Sequence, residues 1–280
     1  MERQVTAALG EPVHVVAGLG RSRPERVTWA AEADGLGALV VKARHGDRAY
    51  EKTRWCAAHL PLLGERGYPV PEIVWHGVGE GEWHVTVERR LPGAPVASAD
   101  PVVVEALIAL VELQADAGLE AGERDFAAYQ SLVLFDGWDH VWRDAEGVMP
   151  ALCKRLRVWL QPVWGFRLPA TDFAHNDLNF SNVLTVGATV TGVVDWDEFG
   201  LNSRAADLTA LVTECARLGA DAELDMLLQR IAGLVGEDGL RCLVTYRILG
   251  HLAAAARRHD RDDIDGAADV AGALLERLGG

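Results

Sequence analysis

The sequence predicts an α+β fold of two lobes: a small β-rich lobe with one helix over residues 1–90, and a larger, mostly helical lobe over residues 96–280. Apolar residues alternate in short runs through the early part of the chain, and later recur at helical spacing. Between the two patterns, Arg90-Leu91-Pro92-Gly93-Ala94-Pro95 interrupts both periodicities, which marks residues 91–95 as a connector.

In the first lobe, Val13–Ala17, Arg26–Ala33 and Ala38–Ala43 are β-prone runs separated by turn residues at Gly18–Pro24 and Asp34–Gly37, so antiparallel strands are expected. A helix is expected from Asp47 to about Arg66, with Asp47 as its N-cap, Gly67 beyond its end, and Glu51, Trp55, Ala58 and Leu62 on one stripe. Glu72–Trp75 and Trp83–Glu88 then read as two more strands, giving a five-stranded sheet. Beyond the connector, helical spacing is expected over Pro101–Gly118, Arg124–Trp142, Pro150–Trp164, Ser203–Leu218, Ala220–Val235, Leu240–Arg258 and Ile264–Leu278. A cleft between two such lobes is a favoured place for a ligand.

The 280 residues carry 27 Lys and Arg against 41 Asp and Glu, a net charge of −14. That balance repels phosphate backbones and anionic lipid, so no nucleic acid and no membrane partner is expected. Cys56, Cys153, Cys215 and Cys242 are scattered with no metal-binding spacing and read as buried thiols. The opening Met1-Glu2-Arg3-Gln4 lacks the apolar core of a secretory signal, and no apolar run approaches the roughly 18 residues of a membrane span, so a cytoplasmic protein is expected.

The chemistry concentrates in His175-Asn176-Asp177-Leu178-Asn179-Phe180-Ser181-Asn182, followed by a hairpin, Val183–Val186 with Val190–Val194, that ends at Asp195. Phosphoryl transfer needs these residue types. Its transition state spreads negative charge over several oxygens, so the protein must hold Mg²⁺ and orient the attacking hydroxyl. Asp195 offers a hard oxygen ligand, Asn182 a neutral one, and Asp177 can accept the hydroxyl proton. His175 reads as a brace of the loop. Upstream, Lys42 stands inside the apolar run Leu39-Val40-Val41-Lys42-Ala43, one of three lysines in the chain, where its ammonium can meet nucleotide phosphates. A buried ammonium requires a carboxylate when no phosphate is bound, and Glu51, on the stripe expected to face the sheet, is the candidate, ahead of Glu65 at the helix end. Gly18-Leu19-Gly20-Arg21-Ser22-Arg23 lacks the third glycine of a phosphate loop, so Ser22, an arginine or backbone amides would cover the nucleotide there.

The order Lys42, Glu51, Leu91-Pro92-Gly93, His175-x-Asp177-(x)4-Asn182, Val194-Asp195-Trp196 resembles the aminoglycoside phosphotransferase family, small-molecule kinases with a protein-kinase-like fold. The resemblance implies that Asp177 is the catalytic base, that Asn182 and Asp195 bind Mg²⁺, and that Lys42 contacts the phosphates of ATP or GTP. It also implies that the Glu88–Leu91 backbone, including Arg90, meets the nucleotide base, and that Asp207 is structural. Val193-Val194-Asp195-Trp196-Asp197-Glu198 is similar to viomycin and capreomycin phosphotransferases, which modify cyclic-peptide antibiotics. The common glycine after the loop histidine is Asn176 in this chain.

The function expected from these residues is an O-phosphotransferase acting on a cationic antibiotic, either an aminoglycoside or a tuberactinomycin-type cyclic peptide, and conferring resistance. Asp197 and Glu198, next to the metal ligand, are candidates for holding that cation. The segment from Asp197 to Gly280 carries 15 acidic against 9 basic side chains, an attractive wall for polyamines. A small-metabolite kinase of the same fold and an inactive nucleotide-binding scaffold are the competing readings. A protein kinase fits less well, since no Ala-Pro-Glu segment follows Asp195.

Overall fold

The computed structural model describes residues 2–19, 25–118, 124–136 and 139–280. In chain order these form helix α1 (Glu2–Leu9), strands β1 (Val13–Gly18), β2 (Arg26–Ala33) and β3 (Gly37–His45), helix α2 (Asp47–Glu65), and strands β4 (Ile73–Val78), β5 (Trp83–Arg89) and β6 (Ala94–Pro95). Helices α3 (Pro101–Glu112), α4 (Phe126–Phe135), α5 (Asp139–Val148) and α6 (Pro150–Leu160) follow, then strands β7 (Asp172–Ala174), β8 (Val183–Val186), β9 (Thr189–Val193) and β10 (Gly200–Asn202). Helices α7 (Ala205–Leu218), α8 (Asp221–Arg258) and α9 (Arg261–Arg277) complete the chain.

Two compact units result. The first comprises residues 1–95 and 183–197, the second residues 96–182 and 198–280. The sequence suggests a second lobe running unbroken from 96 to 280. The hairpin 183–193 instead groups with the first unit, because Ala94 and Pro95 of the connector pair with Thr185 and Leu184, making a three-stranded sheet in the order β6-β8-β9.

The first unit is built on an antiparallel sheet in the order β1-β2-β3-β5-β4. Its core is Leu39, Val41 and Ala43 of β3 with Val85 and Val87 of β5 and Ala31 and Ala33 of β2. β3 is the middle strand, so both of its faces are covered, and Lys42 is buried on the face opposite Val41 and Ala43. Helix α1 has no counterpart in the sequence reading. Its eight residues are too few for a periodic signal, yet Val5 enters the sheet core, and Thr6 Oγ1 accepts from the Val13 amide at 3.1 Å.

The second unit packs its helices around Phe173, Phe199, Leu107, Leu156, Leu208, Leu211 and Leu252, all buried. The helical run expected from Arg124 to Trp142 is two helices, with α4 capped at its start by Asp125 and ended at Asp136. Conversely, the two helices expected on either side of Gly236 form one 38-residue element that is kinked there, at φ 73° and ψ 173°, a conformation glycine adopts without strain. Trp142 and Trp159 are buried, whereas Trp164 is exposed; Trp138 lies outside the described residues.

Candidate active site

In the first unit the sheet places a cation and an anion side by side. β3 and β5 pair with Lys42 opposite Thr86, so Glu88 is the diagonal neighbour of Lys42 on the same face. Lys42 Nζ donates to Glu88 at 2.8 Å, with both side chains more than nine-tenths buried. Sequence reasoning gave Lys42 to Glu51, and the structure corrects this. Helix α2 lines the Lys42 cavity with Lys52, Thr53, Cys56 and Leu60, while Glu51, Ala58 and Leu62 do not line it and are exposed. Glu51 is two residues from Thr53, about 200° around the helix, and therefore faces solvent.

At the end of β9 the chain turns through Asp195, which adopts φ 66°. That left-handed conformation is uncommon for a side-chain-bearing residue, though Asp tolerates it better than most. Arg26 Nη2, at the start of β2, donates to Asp195 Oδ1 at 2.5 Å and Oδ2 at 2.7 Å. Arg26 also pairs with Asp197 at 3.1 Å, and Arg44, its cross-strand partner on β3, binds both oxygens of Asp197. Burial alone would raise the Asp195 carboxyl. The Arg26 hydrogen bond and the charges of Lys42, Arg26 and Arg44 outweigh it and hold the group below the usual carboxylate range. Asp197 was a candidate for holding a cationic ligand; its carboxylate is instead neutralised by two arginines of its own chain. Arg26 and Arg44 escaped the sequence reading because their partners lie far along the chain.

In the second unit the loop 175–182 is pinned from beneath. Asp207, fully buried in the first turn of α7, accepts the His175 amide at 2.8 Å and the Asn176 amide at 2.7 Å, and also the side chain of Gln114 at 2.7 Å. Burial pushes its carboxyl up, against the stabilising pull of His175, Gln114 and these amides. Asn176, standing where a glycine is common, has φ 65°, the region in which Asn is the best tolerated substitute. Its side chain donates to Ala174 O at 3.2 Å and Glu198 O at 2.9 Å and accepts from Asn202 at 2.7 Å, three bonds that a glycine there would lack. His175 is buried, and its Nδ1 accepts the Asp177 amide at 3.2 Å. Asp177 itself projects with 41% of its side chain accessible. Asn182 Nδ2 donates to the Asp177 carbonyl at 2.9 Å, and Arg247 Nη1 of α8 donates to Asp177 Oδ1 at 3.0 Å. Nothing in the spacing of the sequence pointed to Arg247.

Of the other expected residues, Glu198 is partly buried and gives its carbonyl to Asn176. At the connector, Arg90 is exposed and its amide donates to Ala38 O at 3.0 Å, and Leu91 packs against Gly192. Ser22 lies outside the described residues.

Each unit offers one oxygen ligand of the kind a hard divalent cation takes. The Asp195 carboxylate already receives a cation on both oxygens, and Asn182 spends its amide nitrogen on Asp177, leaving Oδ1 as its remaining ligand atom. Among the described residues no three His, Cys, Asp or Glu gather as a metal cage. Mg²⁺ bound to nucleotide requires none, because phosphates and waters complete its shell.

Residues 25–243 match the sequence profile of the phosphotransferase enzyme family (APH). The chain belongs to that family. This phosphotransferase is an enzyme of alcohol-directed phosphoryl transfer with a kinase-like fold, a β-sheet unit and a helical unit. A thermostable mutant of aminoglycoside phosphotransferase APH(4)-Ia resembles it with a TM-score of 0.76 at 18% identity, over 100% of each chain. Macrolide 2'-phosphotransferase MphH from Brachybacterium faecium resembles it at 0.58 and 19% identity over 95% of each. Amicoumacin kinase hAmiN, solved with AMP-PNP, Ca²⁺ and amicoumacin, does so at 0.66 and 14% identity, covering 99% of this chain and 93% of that one. These likenesses concern the fold. No curated protein matches the phosphotransferase significantly.

Proposed function

We propose that the phosphotransferase moves the γ-phosphoryl group of ATP or GTP, with Mg²⁺, to a hydroxyl of a cationic antibiotic of the aminoglycoside class, and thereby confers resistance. The observation that carries this reading is Asp177: an accessible carboxylate on a loop that Asp207 and His175 hold rigid, with one oxygen taken by Arg247 and the other in only a 3.4 Å contact with Asn182. A carboxylate so placed can accept a hydroxyl proton as the oxygen attacks phosphorus. Lys42, released from Glu88, binds phosphate oxygens, and Asn182 and Asp195 hold the metal. When bound, Mg²⁺ neutralises charge on the phosphoryl oxygens. A substrate class is supported by the APH(4)-Ia mutant solved as a ternary complex with ADP and hygromycin B, which resembles this chain with a TM-score of 0.75 at 18% identity. The cyclic-peptide acceptor expected from the residues after Val193 belongs to the same proposal as a second acceptor class.

The test is turnover of ATP and GTP with a panel of hygromycin B, other aminoglycosides, a macrolide, amicoumacin and a tuberactinomycin, reading product mass. A gain of about 80 Da on one aminoglycoside or cyclic peptide is expected, the mass of one transferred phosphoryl group. Phosphorylation confined to amino alcohols or sugars of metabolism would assign the enzyme to a different acceptor class.

A further inference from the structure

We propose that Arg247 is a positioning residue, which fixes the Asp177 carboxylate in the orientation from which its other oxygen receives the acceptor's proton. The inference rests on the assignment of Asp177 as the base.

The Arg247 side chain is only 14% accessible, against 41% for Asp177, so a largely buried cation reaches out to a half-exposed acid. An Asp side chain on a loop turns freely about two torsions, and a single donor leaves one of them loose. Here Arg247 holds Oδ1 at 3.0 Å while Asn182 approaches Oδ2 at 3.4 Å and holds the Asp177 carbonyl at 2.9 Å. Together these contacts fix the plane of the carboxylate, and near-attack geometry is sensitive to shifts of an ångström.

Stability does not account for the arrangement. A guanidinium carries five N–H donors, and Arg247 Nε is buried with no partner among the described residues. Burying a cation so sparsely paired costs folding free energy, and because its partner Asp177 is half-exposed, an apolar side chain of similar volume in place of Arg247 leaves no buried charge behind and is expected to be neutral or stabilising. The neighbours on α8 add no compensating charge. His251, one turn on, is kept neutral, its pKa lowered to about 3 by burial and by Arg247; burial likewise raises the phenol of Tyr246. Glu198 and Tyr129 near Tyr246, and Arg258 and Asp263 near His251, are the other titratable groups acting there. A cation held at a cost to stability against the acid proposed as the base has its explanation in the reaction.

The two roles separate in one experiment on the full chain. Arg247→Met, Arg247→Lys and Asp177→Ala are compared with the parent for melting temperature, for nucleotide affinity, and for kcat and KM. Turnover is read with the fastest panel acceptor, and independently as hydrolysis of MgATP with water as acceptor. Arg247→Met is expected to melt at or above the parent temperature and to bind nucleotide within about twofold, while kcat falls about 10- to 100-fold. Arg247→Lys keeps the charge without the planar fork and is expected to recover part of kcat. Arg247→Met in the Asp177→Ala background is expected to add no further loss. Parent kcat in Arg247→Met beside an inactive Asp177→Ala overturns the role of Arg247 and leaves the base standing. Unfolding of Arg247→Met, or a fall of several degrees in its melting temperature, makes Arg247 structural and also overturns it. Parent activity in Asp177→Ala instead removes the assignment of the base.

Discussion

Arg26 donates from a single nitrogen to both carboxylate oxygens of Asp195, so the proposed metal ligand already has a cation on it, supplied by the start of β2. Binding of a divalent ion at Asp195 therefore competes with the guanidinium. Arg26→Ala is expected to tighten Mn²⁺ binding to the nucleotide-free protein, by up to about tenfold, roughly 1.4 kcal/mol, as read by electron paramagnetic resonance. Unchanged affinity would separate Asp195 from the metal. The sign of the pH effect follows from the lowered carboxyl of Asp195: its contribution to folding is complete above the unfolded value of about 3.9 and is lost as pH falls through the lower folded value.

The Lys42–Glu88 pair makes the sharpest distinction between alternative carboxylates. Removing one partner of a buried ion pair costs about 3–5 kcal/mol, because the survivor is left charged and dry. Glu88→Gln should approach that cost in urea unfolding, whereas Glu51→Gln, at an exposed site, should stay within about 0.5 kcal/mol. The apolar pair Lys42→Met with Glu88→Leu should regain most of the stability without regaining nucleotide affinity. Equal costs for Glu88→Gln and Glu51→Gln would return Glu51 to the site.

Asn176 combines a left-handed backbone with three side-chain hydrogen bonds, to Ala174 O, Glu198 O and from Asn202. Asn176→Ala loses the bonds and adds strain, an expected cost of roughly 2–3 kcal/mol. Asn176→Gly loses the bonds without adding strain and should cost about 1 kcal/mol less. A larger cost for glycine than for alanine, by chemical denaturation, would contradict the role given to φ.

His251 sets part of the acid limb of stability. Its folded pKa is depressed to about 3 from an ordinary 6.5, so the unfolded chain binds the extra proton and stability falls as pH drops below 6.5. Between pH 7 and pH 5 the loss amounts to at most about 2 kcal/mol, because a proton bound only by the unfolded chain is worth about 1.36 kcal/mol for each pH unit below 6.5. His251→Gln should flatten that limb, and an unaltered slope of unfolding free energy against pH would refute it.

These residues also show what the sequence carries openly. The strands of the first unit and the loop 175–182 are local patterns, period two in one case and closely spaced polar types in the other, so both could be read along the chain. Long-range pairing could not. Arg26, Arg44 and Arg247 acquire their roles from carboxylates brought to them by folding. Glu51 misled because only Trp55 of the expected stripe is buried; α2 buries Thr53, Leu60 and Leu63 beside it and leaves Glu51, Ala58 and Leu62 exposed. Asn176 could be seen to replace glycine, yet its compensating bonds to Glu198 and Asn202 depend on β10 lying beside β7.

Asp177, as the group that receives the acceptor's proton, carries the proposed mechanism. Single-turnover phosphoryl transfer by Asp177→Ala, with nucleotide affinity measured on the same sample, tests it most directly. A loss of about 10² to 10⁴ in rate with nucleotide bound as tightly as by the parent is predicted. Transfer at the parent rate would contradict it.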